Sequence, residues 1–203
     1  MKNPTEFCFS LLLSLFLLAS FTPNLIAKSG FDISLGTGLF FPSQKEVKDF
    51  YGSPMVNMSA ELAYRLGRNL SFCIGGQVLS RKTTAKELIG SFPGSDYSVE
   101  LSLRSFYLGG RYHFLWGKKL TPYAGFLLAQ AAIRERWPEV DYDFKHKRFG
   151  LTALAGCRFY VGSTLFLLLE CQLSTLKSGA GDLLVEDVNL GGLSLRMGLG
   201  LTL

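Results

Sequence analysis

The stretch Leu193-Ser194-Leu195-Arg196-Met197-Gly198-Leu199-Gly200-Leu201-Thr202-Leu203 sorts its residues by parity. Every odd position carries a large apolar side chain, and every even position is polar, charged or glycine. A period of two belongs to a β-strand whose two faces meet different surroundings, and helical spacing does not reproduce it. The same sorting recurs upstream. Val56, Met58, Ala60, Leu62 and Tyr64 alternate with Asn57, Ser59, Glu61, Ala63 and Arg65. Phe149, Leu151, Ala153, Ala155, Cys157 and Phe159 alternate with Arg148, Gly150, Thr152, Leu154, Gly156 and Arg158.

Extending this reading outward gives eight strand segments, at residues 30–41, 55–65, 69–81, 98–115, 121–135, 147–160, 164–175 and 187–203. The connections alternate: residues 42–54, 82–97, 136–146 and 176–186 are long, whereas 66–68, 116–120 and 161–163 are short. An even number of strands, with tight turns at one end and longer loops at the other, is the construction of an outer-membrane barrel. No helix is needed, so every neighbouring pair can be antiparallel. The fold expected is all-β: an eight-stranded antiparallel transmembrane up-and-down β-barrel.

Composition agrees with that expectation. Of 203 residues, 48% are hydrophobic and only 18% charged, and the mean hydropathy is +0.23, which argues against a disordered chain. Beyond the first ~27 residues no run reaches the ~18 apolar residues of a spanning helix, so a helical membrane protein is excluded. The net charge of +5 is scattered rather than gathered on one segment, which argues against nucleic acid as a partner. At the N-terminus, Lys2, an apolar stretch over residues 7–21 and the small residue Ala27 read as a secretory signal peptide. The organisation expected is therefore a cleaved signal at 1–27 and one barrel domain at 28–203. Three cysteines, Cys73, Cys157 and Cys171, remain in that domain, an odd number that argues against a disulfide framework.

Alternation does not by itself say which face points inward; the kind of charge does. All eleven lysines fall in the signal, the loops or the strand ends, while strand interiors use Arg and Glu. A water-facing surface would use Lys freely, whereas a crowded interior favours the planar, pairing guanidinium. The polar face is read as the lumen and the apolar face as lipid-facing. The lumen set is Glu61, Arg65, Glu100, Arg104, Arg111, His113, Arg158, Glu170 and Arg196, with Asp32 beside His113 near the periplasmic end. Two breaks in parity need an account. Val99, Leu101 and Leu103 are odd, but Leu108, Tyr112 and Phe114 are even, which implies a β-bulge near Ser105. Val188 and Leu190 switch to Leu193 across Gly191-Gly192, a second bulge or an entry kink.

The hairpin Gly109-Gly110-Arg111-Tyr112-His113-Phe114, followed by Leu120-Thr121-Pro122-Tyr123-Ala124-Gly125-Phe126, resembles the small outer-membrane β-barrel superfamily that includes OmpA-like, OmpX-like and opacity-type proteins. Phe126-Leu127 stands where a further Gly is common. The resemblance also implies an assembly signal in the last strand, carried here by Arg196, Gly198, Leu201 and Leu203, with Leu203 where Phe is usual. It implies barrel-assembly machinery as a partner and the bacterial outer membrane as the location.

Some barrels of this size are lipid-modifying enzymes, resembling a His-x-Ser-Asn arrangement on a late strand. Here only His113 and His146 exist, and the sequence sets neither beside a nucleophile. No enzyme, cofactor or metal is expected; Asp141, Asp143 and His146 match no standard ligand spacing. The lumen charges have two readings, a filled core or a narrow ion path, and eight strands leave room for little besides side chains. Basic residues near the loop end, Arg81, Lys82, Arg134, Arg136, Lys145, Lys147 and Arg148, are candidates to meet lipopolysaccharide phosphates. The function expected is that of a monomeric structural or surface-interaction barrel acting through its loops on an unidentified extracellular partner. A narrow channel is the alternative and a lipid-modifying enzyme the remote one.

Overall fold

The computed structural model describes residues 30–85, 97–114, 119–176 and 189–203; the signal assigned to 1–27 lies outside them. Eight antiparallel strands close into a barrel in sequence order, with β1 also paired to β8. They are β1 (Gly30–Pro42), β2 (Met55–Leu66), β3 (Leu70–Ala85), β4 (Tyr97–His113), β5 (Leu120–Trp137), β6 (Tyr142–Val161), β7 (Leu165–Thr175) and β8 (Gly192–Thr202). Closure leaves no edge in the paired region, so the backbone of each strand is satisfied on both sides there. Tight turns at Gly67 and Gly162, both with positive φ, mark the end at which β1 begins and β8 finishes.

The β1, β2, β7 and β8 side is low, with strands of 11 to 13 residues, and β3 to β6 form a tall wall of strands 16 to 20 residues long. On the outer face of this wall the side chains change character at one level. Below it, β4, β5 and β6 present Leu108, Leu128 and Leu151 side by side; at it stand Phe106, Gln130 and Phe149. Above it come Arg104, Ala132 and Lys147, then Ser102, Arg134 and Lys145. The ten-residue rise along β5 to Gln130, at about 3.3 Å per residue and a tilt of about 40°, gives about 25 Å, the height of the apolar band of such barrels. Leu120 to Gln130 is therefore the membrane-crossing part of β5, and the wall above it stands in water.

This boundary explains why β4 contains no bulge. Its registers with β3 and β5 run unbroken, and one parity faces inward throughout: Val99, Leu101, Leu103, Ser105, Tyr107, Arg111 and His113. What changes is the environment. In the membrane the apolar residues Phe106 and Leu108 face out to lipid; above it, where the outside is water, the apolar residues turn inward. The sequence-based bulge at Ser105 is thereby overturned, and Glu100 and Arg104 with it: both lie on the outer face rather than in the lumen. At Gly191-Gly192 the strand simply begins, Gly192 opening β8.

The inward residues of the wall pack under a cap. Between β1 and β2 a short helix, α1 (Lys45–Tyr51), which the alternation did not require, turns Val47 and Tyr51 into the barrel mouth. There they meet Met55, Leu79, Val99, Leu101, Ile133, Trp137, Leu176 and Leu190. The lumen thus has two layers, an apolar cap toward the loops and a polar layer toward the tight turns.

Cys73, Cys157 and Cys171 are free, as expected. Cys157 pairs across the sheet with Leu169 and Cys171 with Ala155, one diagonal step apart and beyond disulfide reach. The orientation is testable with spin labels at Leu151, Leu167 and Leu195, each exposed on the outer face. In lipid all three should be relaxed by dissolved oxygen, and protection of all three would overturn the assignment of faces.

Candidate functional site

The polar layer is built by geometry that starts with glycine. Three inward aromatics sit directly opposite a glycine on the next strand: Tyr107 opposite Gly75, Tyr123 opposite Gly156 and Phe166 opposite Gly200. Each ring lies over the bare backbone; a Cβ on Gly200 would come within 2.1 Å of the Phe166 ring, and one on Gly156 within 2.6 Å of the Tyr123 hydroxyl. Laid flat, the rings leave the axis to charged side chains and offer them π-faces. Arg158 lies over Phe166 and Tyr123, at 4.7 and 5.7 Å, and Arg111 over Tyr123 at 5.1 Å.

Two clusters occupy that space. In the first, Asp32 accepts from Arg65 (2.7 Å), from Arg158 and from Thr202 Oγ1 (2.8 Å). In the second, Arg111 offers both terminal nitrogens to Glu61 and one of them to Glu170 (3.0 Å). Glu170 also accepts from the Tyr123 hydroxyl (2.8 Å) and from Gln172 Nε2 (2.7 Å), and forms an ion pair with Arg196 (3.2 Å). Arg196 in turn donates to Ser59 Oγ (2.6 Å), and Tyr107 donates to Glu61 (3.2 Å). Arg111, Arg158, Glu170 and Arg196 are all less than 5% exposed. A buried charge is tolerated only when paired and hydrogen-bonded, and each carboxylate here has at least one guanidinium and further donors.

Of the nine residues read as lumen charges, Glu61, Arg65, Arg111, His113, Arg158, Glu170 and Arg196 point inward; Glu100 and Arg104 do not. Asp32, Tyr107, Tyr123, Gln172 and Thr202 complete the network. Asp32, read from the sequence as inward near the tight-turn end, is buried there on the same face of β1 as Ser34. His113 does meet a hydroxyl: its Nε2 lies 2.8 Å from Ser71 Oγ, a pairing that the sequence reading did not see. Both residues are about 3% exposed or less, and the Tyr123 ring stands 5.6 Å from the imidazole, so this is an enclosed polar contact.

The basic residues near the loop end divide by parity too. Arg81 turns toward α1, where its Nε donates to the Tyr51 carbonyl, and Arg148 shares the inward face with Thr152 and Arg158. Neither belongs to the outer rim. Lys82, Arg134, Arg136, Lys145 and Lys147 do, joined by Arg104. Lys82 pairs with Glu100 and holds that carboxyl below its usual range. Asp143 is gripped by Arg134 through two 2.8 Å bonds and by Lys145 at 2.9 Å, and the same partners push its carboxyl down. Asp143 is thus the charge partner of two cations, and His146 stacks on Phe144 at 4.5 Å. Inside the cap, Glu135 is 1% exposed and takes its bonds from Trp137 Nε1 (2.7 Å) and Tyr51; burial raises its carboxyl above the ordinary value.

Between cap and network lies a chamber of about 60 Å³, bordered by Gln77, Ser105, Tyr107, Gln172 and Ser194. That is room for a few water molecules.

Solved structures of outer-membrane barrels match over most of the chain, among them the following three. OprG of Pseudomonas aeruginosa is 13% identical with a TM-score of 0.65, covering 87% of this chain and 97% of its own. Neisserial surface protein A is 15% identical with a TM-score of 0.55, covering 86% and 96%. The N-terminal barrel domain of Pseudomonas aeruginosa OprF is 13% identical with a TM-score of 0.53, covering 87% and 100%. At such identities the likeness speaks for the fold alone. No curated protein sequence matches. The sequence profile described as "Outer membrane protein beta-barrel domain" matches residues 9–197, nearly the whole chain, and with the closed eight-stranded barrel this makes the protein a member of that outer-membrane family.

Proposed function

We propose that the protein is a closed structural and surface-interaction barrel, whose lumen is plugged and whose activity lies in the wall and loops outside the membrane. The observation that carries this reading is the central Arg111, which binds two carboxylates from strands on different sides of the barrel, Glu61 of β2 and Glu170 of β7. A guanidinium shared in this way spans the bore, and its release would leave two buried carboxylates without it. The apolar cap adds a second barrier above the chamber. An ion crossing the barrel would have to part both layers, and in the cap Glu135 and its two donors, Trp137 and Tyr51, are set among apolar side chains that cannot solvate it.

Planar-bilayer recording tests the proposal. The purified barrel should give no steady conductance above the lipid baseline. A large, stable conductance in the unmodified protein would overturn the closed reading and favour a channel. The loops set the surface partner, since such scaffolds place recognition on loops held by a rigid frame.

A further inference from the structure

The outward cations of the strands all lie on the tall wall. Among the described residues, the outer faces of β1, β2, β7 and β8 carry Leu, Ile, Met, Val, Phe and Tyr with Ala, Thr and Cys and no Lys or Arg. The outer faces of β4, β5 and β6 above the apolar belt carry Arg104, Arg134, Arg136, Lys145 and Lys147 against two acids, Glu100 and Asp143. The wall is the strand surface that stands in water, and on its outer face over β4, β5 and β6 cations outnumber acids five to two.

The pairing within this patch singles out its centre. Asp143 is taken by Arg134 and Lys145, and Glu100 by Lys82. Arg104 and Lys147 enter no ion pair among the described residues. The register places them in one row, on either side of Ala132: Arg104 opposite Ala132, and Ala132 opposite Lys147. Two interstrand spacings separate them, about 10 Å between backbones, and the floor between is a single methyl group. Arg136, whose field acts on Glu100 from the next strand, overlooks the same depression, whose open volume is about 660 Å³. Immediately below come Phe106, Gln130 and Phe149, then the leucine row facing lipid. A ligand seated here is anionic at one level and hydrocarbon two rows lower.

We propose that this flank binds an outer-leaflet lipid whose compact head group carries two phosphates. One phosphate meets Arg104 and the other Lys147, the sugar-sized body lies over Ala132, and the acyl chains descend over Phe106, Phe149 and Leu151. Guanidinium and ammonium groups form charge-assisted bonds to phosphate oxygens, and the forked donor set of Arg104 favours two at once. A single phosphodiester would have to be shared by both cations, whereas two phosphates give each its own, so retention rises with phosphate number. The proposal rests on the outer-membrane placement of the barrel but not on its closed lumen, so bilayer conductance and lipid binding can fail separately.

The test is native mass spectrometry of the full barrel released from phosphatidylcholine vesicles doped in turn with bisphosphorylated lipid A, its dephosphorylated form, or phosphatidylglycerol. The unmodified protein should retain the bisphosphorylated lipid about tenfold over the other two. Arg104→Ala with Lys147→Ala should abolish that preference. Ala132→Phe keeps every charge and fills the floor, and it too should lower retention several-fold, which a merely electrostatic rim would not show. Heat-modifiable gel mobility confirms that each variant is folded, and Arg104→Lys with Lys147→Arg serves as a folded variant that keeps the charges and should keep part of the preference. Equal retention of the dephosphorylated lipid or of phosphatidylglycerol, or unchanged retention in both the double-alanine and the Ala132→Phe variants, would overturn the proposal.

Discussion

Arg111→Met should destabilise the barrel by about 3–5 kcal/mol, the usual cost of removing one partner from a buried ion pair. The side chain is 1% exposed and holds Glu61 through two bonds and Glu170 through a third. Methionine restores much of the volume but no donors. Glu170 would keep Arg196, Tyr123 and Gln172, while Glu61 would keep only the longer bond from the Tyr107 hydroxyl. The loss should therefore fall mainly on Glu61, and adding Glu61→Gln to Arg111→Met should recover a good part of it by removing the stranded charge. The urea midpoint of the heat-modifiable gel band measures both. In the bilayer, Arg111→Met alone should stay at the lipid baseline, because the apolar cap above still closes the bore. An unchanged urea midpoint in Arg111→Met would show that the network is not what closes and stiffens the bore.

How much of this was legible in the sequence depends on how constant the surroundings of each strand are. β2 and β8 face lipid on one side and the lumen on the other for nearly their whole length, so their alternation could be read directly. β4 passes through two surroundings, and the hydrophobic parity flips between Leu103 and Phe106 although the backbone register does not. Parity alone cannot distinguish a slipped strand from a changed solvent, and that ambiguity placed Glu100 and Arg104 inside. The identity of the lumen set was legible because parity and residue type sufficed; the partners were not. Asp32 meets Arg158 across 126 positions, a distance that only barrel closure fixes. Helix α1 was illegible for another reason: two buried residues, Val47 and Tyr51, make one turn of amphipathic pattern, too little to stand out from a loop. The cap follows from the same pair, since Val47 and Tyr51 join Trp137 and Ile133 in one apolar cluster.

Trp137→Ala should remove about 3–5 kcal/mol of packing, the range for deleting a buried large aromatic, but from the cap rather than from the whole barrel. Trp137 is 2% exposed, its ring lies 6.1 Å from that of Phe50, and its indole donates to Glu135. The strands beneath are held by continuous ladders and by the charge network, so the loss should appear as local opening, with α1 lifting away while the barrel persists. Limited proteolysis should cut within residues 42–54 far faster than in the unmodified protein, while the urea midpoint of the gel band moves less than in Arg111→Met. Glu135, left with only the Tyr51 hydroxyl in an apolar setting, adds to the strain on the cap, and Trp137→Ala with Glu135→Leu should slow the cutting again. Conductance should stay at baseline, because the polar layer below still closes the bore; only the combination with Arg111→Met opens both barriers. If Trp137→Ala alone conducts, the cap is the seal and the charge network merely lines a pore; if residues 42–54 stay protected, Trp137 is not what anchors α1.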